Sequence, residues 1–236
     1  MSSARLAVVC SGQAGQRRDM LDGILGSPDC SELCRTAGEL LGSDFESWWG
    51  GLDDAAIFAN ENAQFAIALY QLAVWQRIRS VIPEPALIAG YSLGELLAYH
   101  VAGAMDVRET LRLVQKRSLA MNKASSGISA ASGCMLLCRG RMSDDTRRLI
   151  AENELDTAIV RSPGDRVLAG PADAIDNFLH KIGRDNPNFL RLPISSPSHS
   201  HYLSSAATAF HSILQESSLK APSIPVVAYN SPVWES

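Results

Sequence analysis

The apolar positions of this chain change texture along its length, and the changes mark its parts. Leu6 to Cys10 is a short continuous apolar run closed by Ser11-Gly12-Gln13-Ala14-Gly15-Gln16, the pattern of a central parallel strand and its turn. Residues 18–50 carry weaker helical periodicity, with Cys30, Leu33, Cys34, Ala37 and Leu40-Leu41 on one face, and Trp48-Trp49 running into Gly50-Gly51 reads as a loop. From Asn62 to Ser80 the apolar side chains lie nearly all round, so a buried helix is predicted. Pro83 and Pro85 close it. Ala86 to Gly90 is a second strand, which turns through Tyr91-Ser92-Leu93-Gly94 into a helix ending at Val101. A further helix opens at Asp106, with Thr110, Leu113, Val114, Arg117, Ala120 and Met121 along one stripe.

After the small-residue stretch from Ser125 to Gly133 the elements shorten. Cys134 to Cys138 reads as a strand, 144–153 as a helix, 157–161 and 166–169 as strands across a Ser162-Pro163-Gly164-Asp165 turn, 171–181 as a helix and 188–194 as a strand. That order is a ferredoxin-like α+β module inserted into a larger domain. The predicted division is a large α/β domain over 1–126 and 196–236 and a small subdomain over 127–195. After the insertion come Ser195-Ser196-Pro197-Ser198-His199-Ser200-His201-Tyr202, a helix from Ser204 to Gln215 and a strand from Ile224 to Ala228.

Composition narrows the partners. The chain has 236 residues, 46% hydrophobic and 19% charged, with a net charge of −4, so it can bury a sizeable core and lacks the basic excess of a nucleic-acid binder. No apolar run is long enough to span a bilayer, and the Leu6 to Cys10 run is too short for a signal peptide, so neither nucleic acid nor membrane is an expected partner. Five cysteines without framework spacing fit a reducing compartment and a cytoplasmic location. Cys30 with Cys34, and Cys134 with Cys138, have spacings that invite a metal reading. Neither has a nearby histidine, and small buried thiols with no metal are the better description.

Candidate chemistry centres on Gly90-Tyr91-Ser92-Leu93-Gly94. A serine between two glycines at this spacing, with a strand before and an apolar helix after, reads as a nucleophile on a sharp strand-to-helix turn, as in an α/β-hydrolase-like parallel sheet. The Leu93 amide opens the helix and suits an oxyanion. The plainer alternative is a turn serine with glycine neighbours. Gln64, early in the buried helix, serves equally as a structural hydrogen-bonding group or a site residue. Arg117 falls on an inward helix face, where a guanidinium needs a carboxylate from the protein or from a ligand. Of the five histidines, His100, His180 and His211 sit in helices, whereas His199 and His201 share a loop. Both also read as ordinary exposed loop residues.

Gly-Tyr-Ser-Leu-Gly-Glu at 90–95, Ala-Gly-Ala-Met-Asp at 102–106, Arg117 followed by Met121, Gly12-Gln13, the inserted module and Leu192-Pro193 leading into Ser-Pro-Ser-His-Ser together resemble the malonyl-CoA:acyl-carrier-protein transacylase family. The resemblance is collinear over essentially the whole chain. It implies Ser92 as nucleophile, His199 as general base, the amides of Gln13 and Leu93 as the oxyanion hole, Arg117 as the grip on the malonyl carboxylate and Gln64 in the site lining. It also implies Asn230 as the residue whose carbonyl orients the histidine. No cofactor is implied; malonyl-CoA is the substrate and an acyl carrier protein the partner.

Three positions depart from the family pattern: Tyr91 stands where histidine is usual, Arg161 where asparagine is common, and Ser198 where malonyl-specific members often carry phenylalanine. Ser198 suggests room for a substituent on the malonyl carbon. Family members continue for several elements beyond Asn230, which leaves a truncated chain, a covering partner or second copy, or a trimmed fold as alternatives. Pathway stays open between fatty-acid synthesis, polyketide assembly and the epsilon subunit of malonate decarboxylase. Arg17, Arg18, Lys116 and Lys123 are candidates for an acidic carrier's docking patch, although a solvated face is the better explanation for any one of them. The competing readings are a serine hydrolase or thioesterase of α/β-hydrolase type and a non-catalytic carrier-docking subunit.

Overall fold

A computed structural model describes residues 5–127 and 133–227. Its strands are β1 (Ala7–Cys10), β2 (Leu87–Gly90), β3 (Gly133–Arg139), β4 (Asp156–Val160), β5 (Asp165–Pro171), β6 (Phe189–Arg191) and β7 (Val226–Val227). Its α-helices are α1 (Ser31–Leu41), α2 (Phe45–Gly51), α3 (Asn60–Ile78), α4 (Gly94–Val101), α5 (Val107–Ser125), α6 (Asp144–Glu152), α7 (Ala172–Ile182) and α8 (Ser204–Gln215). Among the described residues no helix is long and apolar enough to cross a membrane. The fold is a mixed α/β one, with a parallel and an antiparallel sheet.

The chain divides into two compact units, the first holding Met1–Ile57, Glu61–Lys116 and Ile213–Ser236. Its sheet runs β1-β2-β7, parallel throughout, with Ala7 to Cys10 paired to Leu87 to Gly90 and Ile88 opposite Val226. Ile88 of β2 is fully buried, whereas β1, read from its apolar run as a central strand, lies at the end of the sheet order among the described residues and leaves Val9 exposed. In α3 the all-round apolar pattern has its expected consequence: Ala63, Phe65, Ala66, Ala68, Leu69, Leu72 and Ala73 are all buried. One expectation fails here. Trp48 to Gly51 is helical rather than a loop, because the Asp44 side chain accepts a hydrogen bond from Ser47 N at 2.8 Å and caps a short helix. The Trp48 ring then packs on Phe45 and edge-on to Phe65, with centroids 5.5 and 5.8 Å away. Gly50 and Gly51 signal the end of this helix, not a loop in its place.

The second unit comprises Phe58–Asn60 and Arg117–Ser212. Its sheet order is β4-β5-β3-β6 with every neighbouring pair antiparallel, and the elements follow the expected strand-helix-strand-strand-helix-strand order. Alternation along β3 sends Cys134, Leu136 and Cys138 to one face, packed with Leu168, Ile175 and Phe178. Met135 and Leu137 go to the other face with Ala158, Ile159, Val167 and Ala169. This unit is wider than the 127–195 of the sequence reading. Met121 of α5 clusters with Leu203 and Ala206, and Ser125 Oγ lies 3.3 Å from Ser196 Oγ, so the end of α5 and the segment after the insertion belong with it. A linker of small residues marks where the composition changes, but packing decides where a unit ends.

All five cysteines are unbridged. Cys30, Cys134 and Cys138 are buried and Cys34 partly so, and among the described residues no three His, Cys, Asp or Glu side chains gather as a metal site would require.

Candidate active site

Ser92 lies between β2 and α4 at φ +56°, a left-handed conformation that costs a non-glycine residue and is retained where surrounding structure enforces it. The two glycines of the motif show what enforces it. A Cβ on Gly90 would come well within 3 Å of the Gly94 carbonyl and Glu95 N, and one on Gly94 within 3 Å of the Cys10 carbonyl and Ser11 O. Only bare backbone at both positions lets the first turn of α4 press against the ends of β2 and β1. Tyr91 N donates to Cys10 O at 2.9 Å, and the turn is tightened by Gly94 N to Tyr91 O and Glu95 N to Ser92 O, both 3.0 Å. The Leu93 N–H sits at the helix start, outside this ladder, and has no hydrogen-bond acceptor among the described residues.

The turn after β1 meets the serine turn from the other side. A Cβ on Gly12 would stand 2.9 Å from Tyr91 O, so this loop too needs glycine to lie so close. Its geometry is set by side-chain amides. Gln71 of α3 takes Ser11 at both ends, accepting from its N at 2.8 Å and donating to its O at 3.1 Å, while Gln16 Oε1 accepts from Ala14 N at 2.9 Å. The Gln13 N–H between them has no acceptor among the described residues, and its buried Oε1 has no donor. Two backbone donors, on Gln13 and Leu93, are thus offered by loops in contact with each other. Gln64, one turn into α3, is wholly buried in this unit.

Arg117 and His199 belong to the second unit, where both line a cleft of about 310 Å³. Met121, Leu203 and Phe210 form its apolar part and Ser198 a polar edge. His199, like Ser92, is a non-glycine residue in the left-handed region, at φ +60°. The residue keeps a solvent-exposed edge, but the protein around the ring and, secondarily, the Arg117 charge hold its pKa below the usual imidazole range. At neutral pH the ring is therefore uncharged and able to take a proton.

The second loop histidine is placed differently. His201 does not line the cleft; its Nδ1 lies 2.8 Å from Asp156 Oδ2, which also accepts from His201 N at 2.6 Å. By sequence Asp156 lies in the inserted module and is poorly placed as a triad acid; the fold brings the start of β4 to this loop. Arg161 is exposed at the β4–β5 turn, its N–H donating to Asp165 O at 2.9 Å. Arg18 is engaged within the first unit, donating to Leu52 O at 2.5 Å and pairing with Asp54 at 3.2 Å. Asn230 lies outside the described residues.

An acyl transferase domain family model matches residues 42–231. The chain is 29% identical over 231 residues to a polyketide biosynthesis malonyl CoA-acyl carrier protein transacylase, PksC of Bacillus subtilis, covering 94% of this chain and 77% of that one. It is also 29% identical over 174 residues to the PKS-NRPS hybrid synthetase acdB of Aspergillus candidus, covering 74% of this chain but only 7% of that protein. Among solved structures, a malonyl-transacylase in complex with its type II polyketide synthase acyl-carrier protein superposes with a TM-score of 0.82 at 26% identity, over 95% of this chain and 74% of that one. The chain therefore spans a small fraction of the hybrid synthetase and about three quarters of each of the two transacylases. With the family model matching well over half of its length, the chain belongs to the acyl transferase domain family.

Proposed function

We propose that the chain transfers a malonyl group from coenzyme A to the phosphopantetheine thiol of an acyl carrier protein through a malonyl-Ser92 ester. The observation that carries this reading is Ser92 itself, forced to φ +56° by glycines that admit no Cβ. His199 takes the hydroxyl proton as Ser92 Oγ attacks the thioester carbonyl, and the amides of Leu93 and Gln13 hold the oxyanion. The carbon–sulfur bond breaks and coenzyme A leaves as the thiol with that proton. The carrier thiol then repeats the sequence in reverse, returning the hydroxyl to Ser92. Arg117 grips the free carboxylate of the malonyl group in two charge-assisted hydrogen bonds. Gln64 lines the site, and the Asn230 carbonyl orients His199. No resident cofactor takes part.

In this reading the parallel sheet is an α/β-hydrolase-like core, the antiparallel sheet a ferredoxin-like insertion, and the five unbridged thiols suit a cytoplasmic location. The relatives' names and the carrier-bound transacylase structure support the same substrate and acceptor. One observation favours a second reading. Ser92, Asp156 and His201 follow the chain order of a hydrolase triad, and Asp156 does bond His201. Against it, His201 does not line the cleft that holds Arg117.

The test is to load the protein with labelled malonyl-CoA and then add a carrier protein bearing phosphopantetheine. Label passing to the carrier faster than to water supports the transferase. Release to water at a rate independent of the carrier supports the hydrolase, and no loading in folded protein leaves only a docking subunit.

A further inference from the structure

One contact, between Asp156 and His201, has no role in the transfer chemistry above. His199 is held in a left-handed conformation inside a loop without regular secondary structure, and such a conformation persists only where neighbouring contacts over-determine it. On its N-terminal side the loop is anchored by Ser198 N donating to Ser196 O at 2.8 Å and by Ser196 meeting Ser125. Pro197 is pressed against Gly133, where a Cβ would overlap its ring. On the C-terminal side the anchor comes from the start of β4 and the turn before it. One carboxylate oxygen, Asp156 Oδ2, accepts from both the backbone N–H and the ring Nδ1 of His201. Two residues earlier, the Glu154 carbonyl accepts from Tyr202 Oη at 2.9 Å. The rings of His201 and Tyr202 pack tilted by 33° with centroids 4.0 Å apart, so the two contacts form one bracket.

We infer that Asp156 is a positioning residue, which through His201 holds the strained backbone of His199 and so aims its imidazole. This rests on the reading of His199 as the general base. The pair is exposed, with 62% of the His201 and 33% of the Asp156 side chain open to solvent, so its worth is geometric rather than a large electrostatic gain. The backbone bond matters most. It fixes the chain two residues after His199, where a small change in direction swings the ring away from any proton it must accept.

The experiment measures the rate constant for acylation by malonyl-CoA in rapid-quench mode for Asp156→Ala, Asp156→Asn, His199→Ala and the Asp156→Ala/His199→Ala double variant, with thermal unfolding as a folding control. Asp156→Ala is expected to lower the rate constant about tenfold while KM for malonyl-CoA stays within about twofold. Asp156→Asn keeps an acceptor oxygen for His201 N and recovers most of the rate. In the His199→Ala background the Asp156→Ala change adds nothing, since it acts only through that ring. An unchanged rate in Asp156→Ala beside a crippled His199→Ala overturns the inference and leaves the base assignment standing. So does the same fractional loss in both backgrounds. A His199→Ala protein that acylates at the wild-type rate instead overturns the base assignment and the inference with it.

Discussion

Replacing Arg117 with glutamine separates acyl-group recognition from the chemistry of the serine. Arg117 is half-buried on α5 and shares a cleft with His199. Two charge-assisted bonds to a carboxylate are worth roughly 1.5 to 3 kcal/mol each in favourable surroundings. Partial exposure screens them, and about 2 to 3 kcal/mol for the pair together is the reasonable figure. That corresponds to a loss of roughly 30- to 150-fold in kcat/KM for malonyl-CoA. Acetyl-CoA has no carboxylate to lose, so its rate should hold and the malonyl-to-acetyl ratio should fall by the same factor. A second signature follows from charge. In the wild type, burial and then Arg117 hold the His199 pKa down, so the acid limb of the acylation rate lies below about pH 6.5, the ordinary imidazole value. Removing the neighbouring cation raises the pKa, and the limb moves to higher pH; burial, the larger cause, keeps it from rising all the way. Stopped-flow acylation with both thioesters across pH 5 to 8 reads both effects. An Arg117→Gln protein that keeps its malonyl preference and its acid limb would refute the reasoning.

Other perturbations test other parts of the account. Gly94→Ala drives a methyl group into the Cys10 carbonyl and should cost about 3 kcal/mol or more, seen as a lowered Tm or insoluble protein. Asp44→Ala removes the cap of α2 and should cost about 1 kcal/mol in urea unfolding, with a smaller effect on acylation. Burial pushes the Cys10 and Cys138 thiols up to about 11 and about 12, so at pH 8 both should resist iodoacetamide until the protein is unfolded. Ser198 is only 6% exposed and lines the cleft, so Ser198→Phe should narrow it. If the acyl pocket admits a substituted malonyl group, methylmalonyl-CoA turnover is present in the wild type and lost in that variant; no methylmalonyl activity in the wild type ends that idea.

Much of the fold follows from local pattern. The parallel strands announce themselves because Leu6 to Cys10 and Ala86 to Gly90 are continuously apolar, although Val9 and Leu87 are exposed, and α3 because its apolar residues lack a polar face. The alternating strands and short helices of the second unit likewise came out in the right order. What local pattern misses depends on distant partners. The helix over Trp48 to Gly51 rests on a cap and on aromatic packing with Phe65, neither visible as periodicity. The width of the second unit rests on Met121 meeting Leu203 and Ala206 across eighty residues of sequence, as roughly expected when a unit is closed by tertiary contacts.

The candidate site divides in the same way. Ser92 is legible because its two glycines are neighbours in sequence, and the structure supplies the reason both must be glycine. Arg117 is legible because helical spacing puts it on the apolar stripe. The loop histidines are not told apart by spacing. They differ in what the fold brings to each: a cleft with Arg117 for His199, and the carboxylate of Asp156 for His201. The left-handed backbone of His199 is not legible in the sequence, since histidine, although enriched in that conformation over most side chains, adopts it in only a small minority of its occurrences.

The central claim is a covalent malonyl ester on Ser92. Incubating the protein with malonyl-CoA, quenching in acid and mapping the modified peptide by mass spectrometry tests it directly. The account predicts one malonyl group per chain, on the peptide containing Gly90 to Gly94, absent in a folded Ser92→Ala protein. A folded wild-type protein that stays unmodified, or a Ser92→Ala protein that still acquires the label, would contradict it.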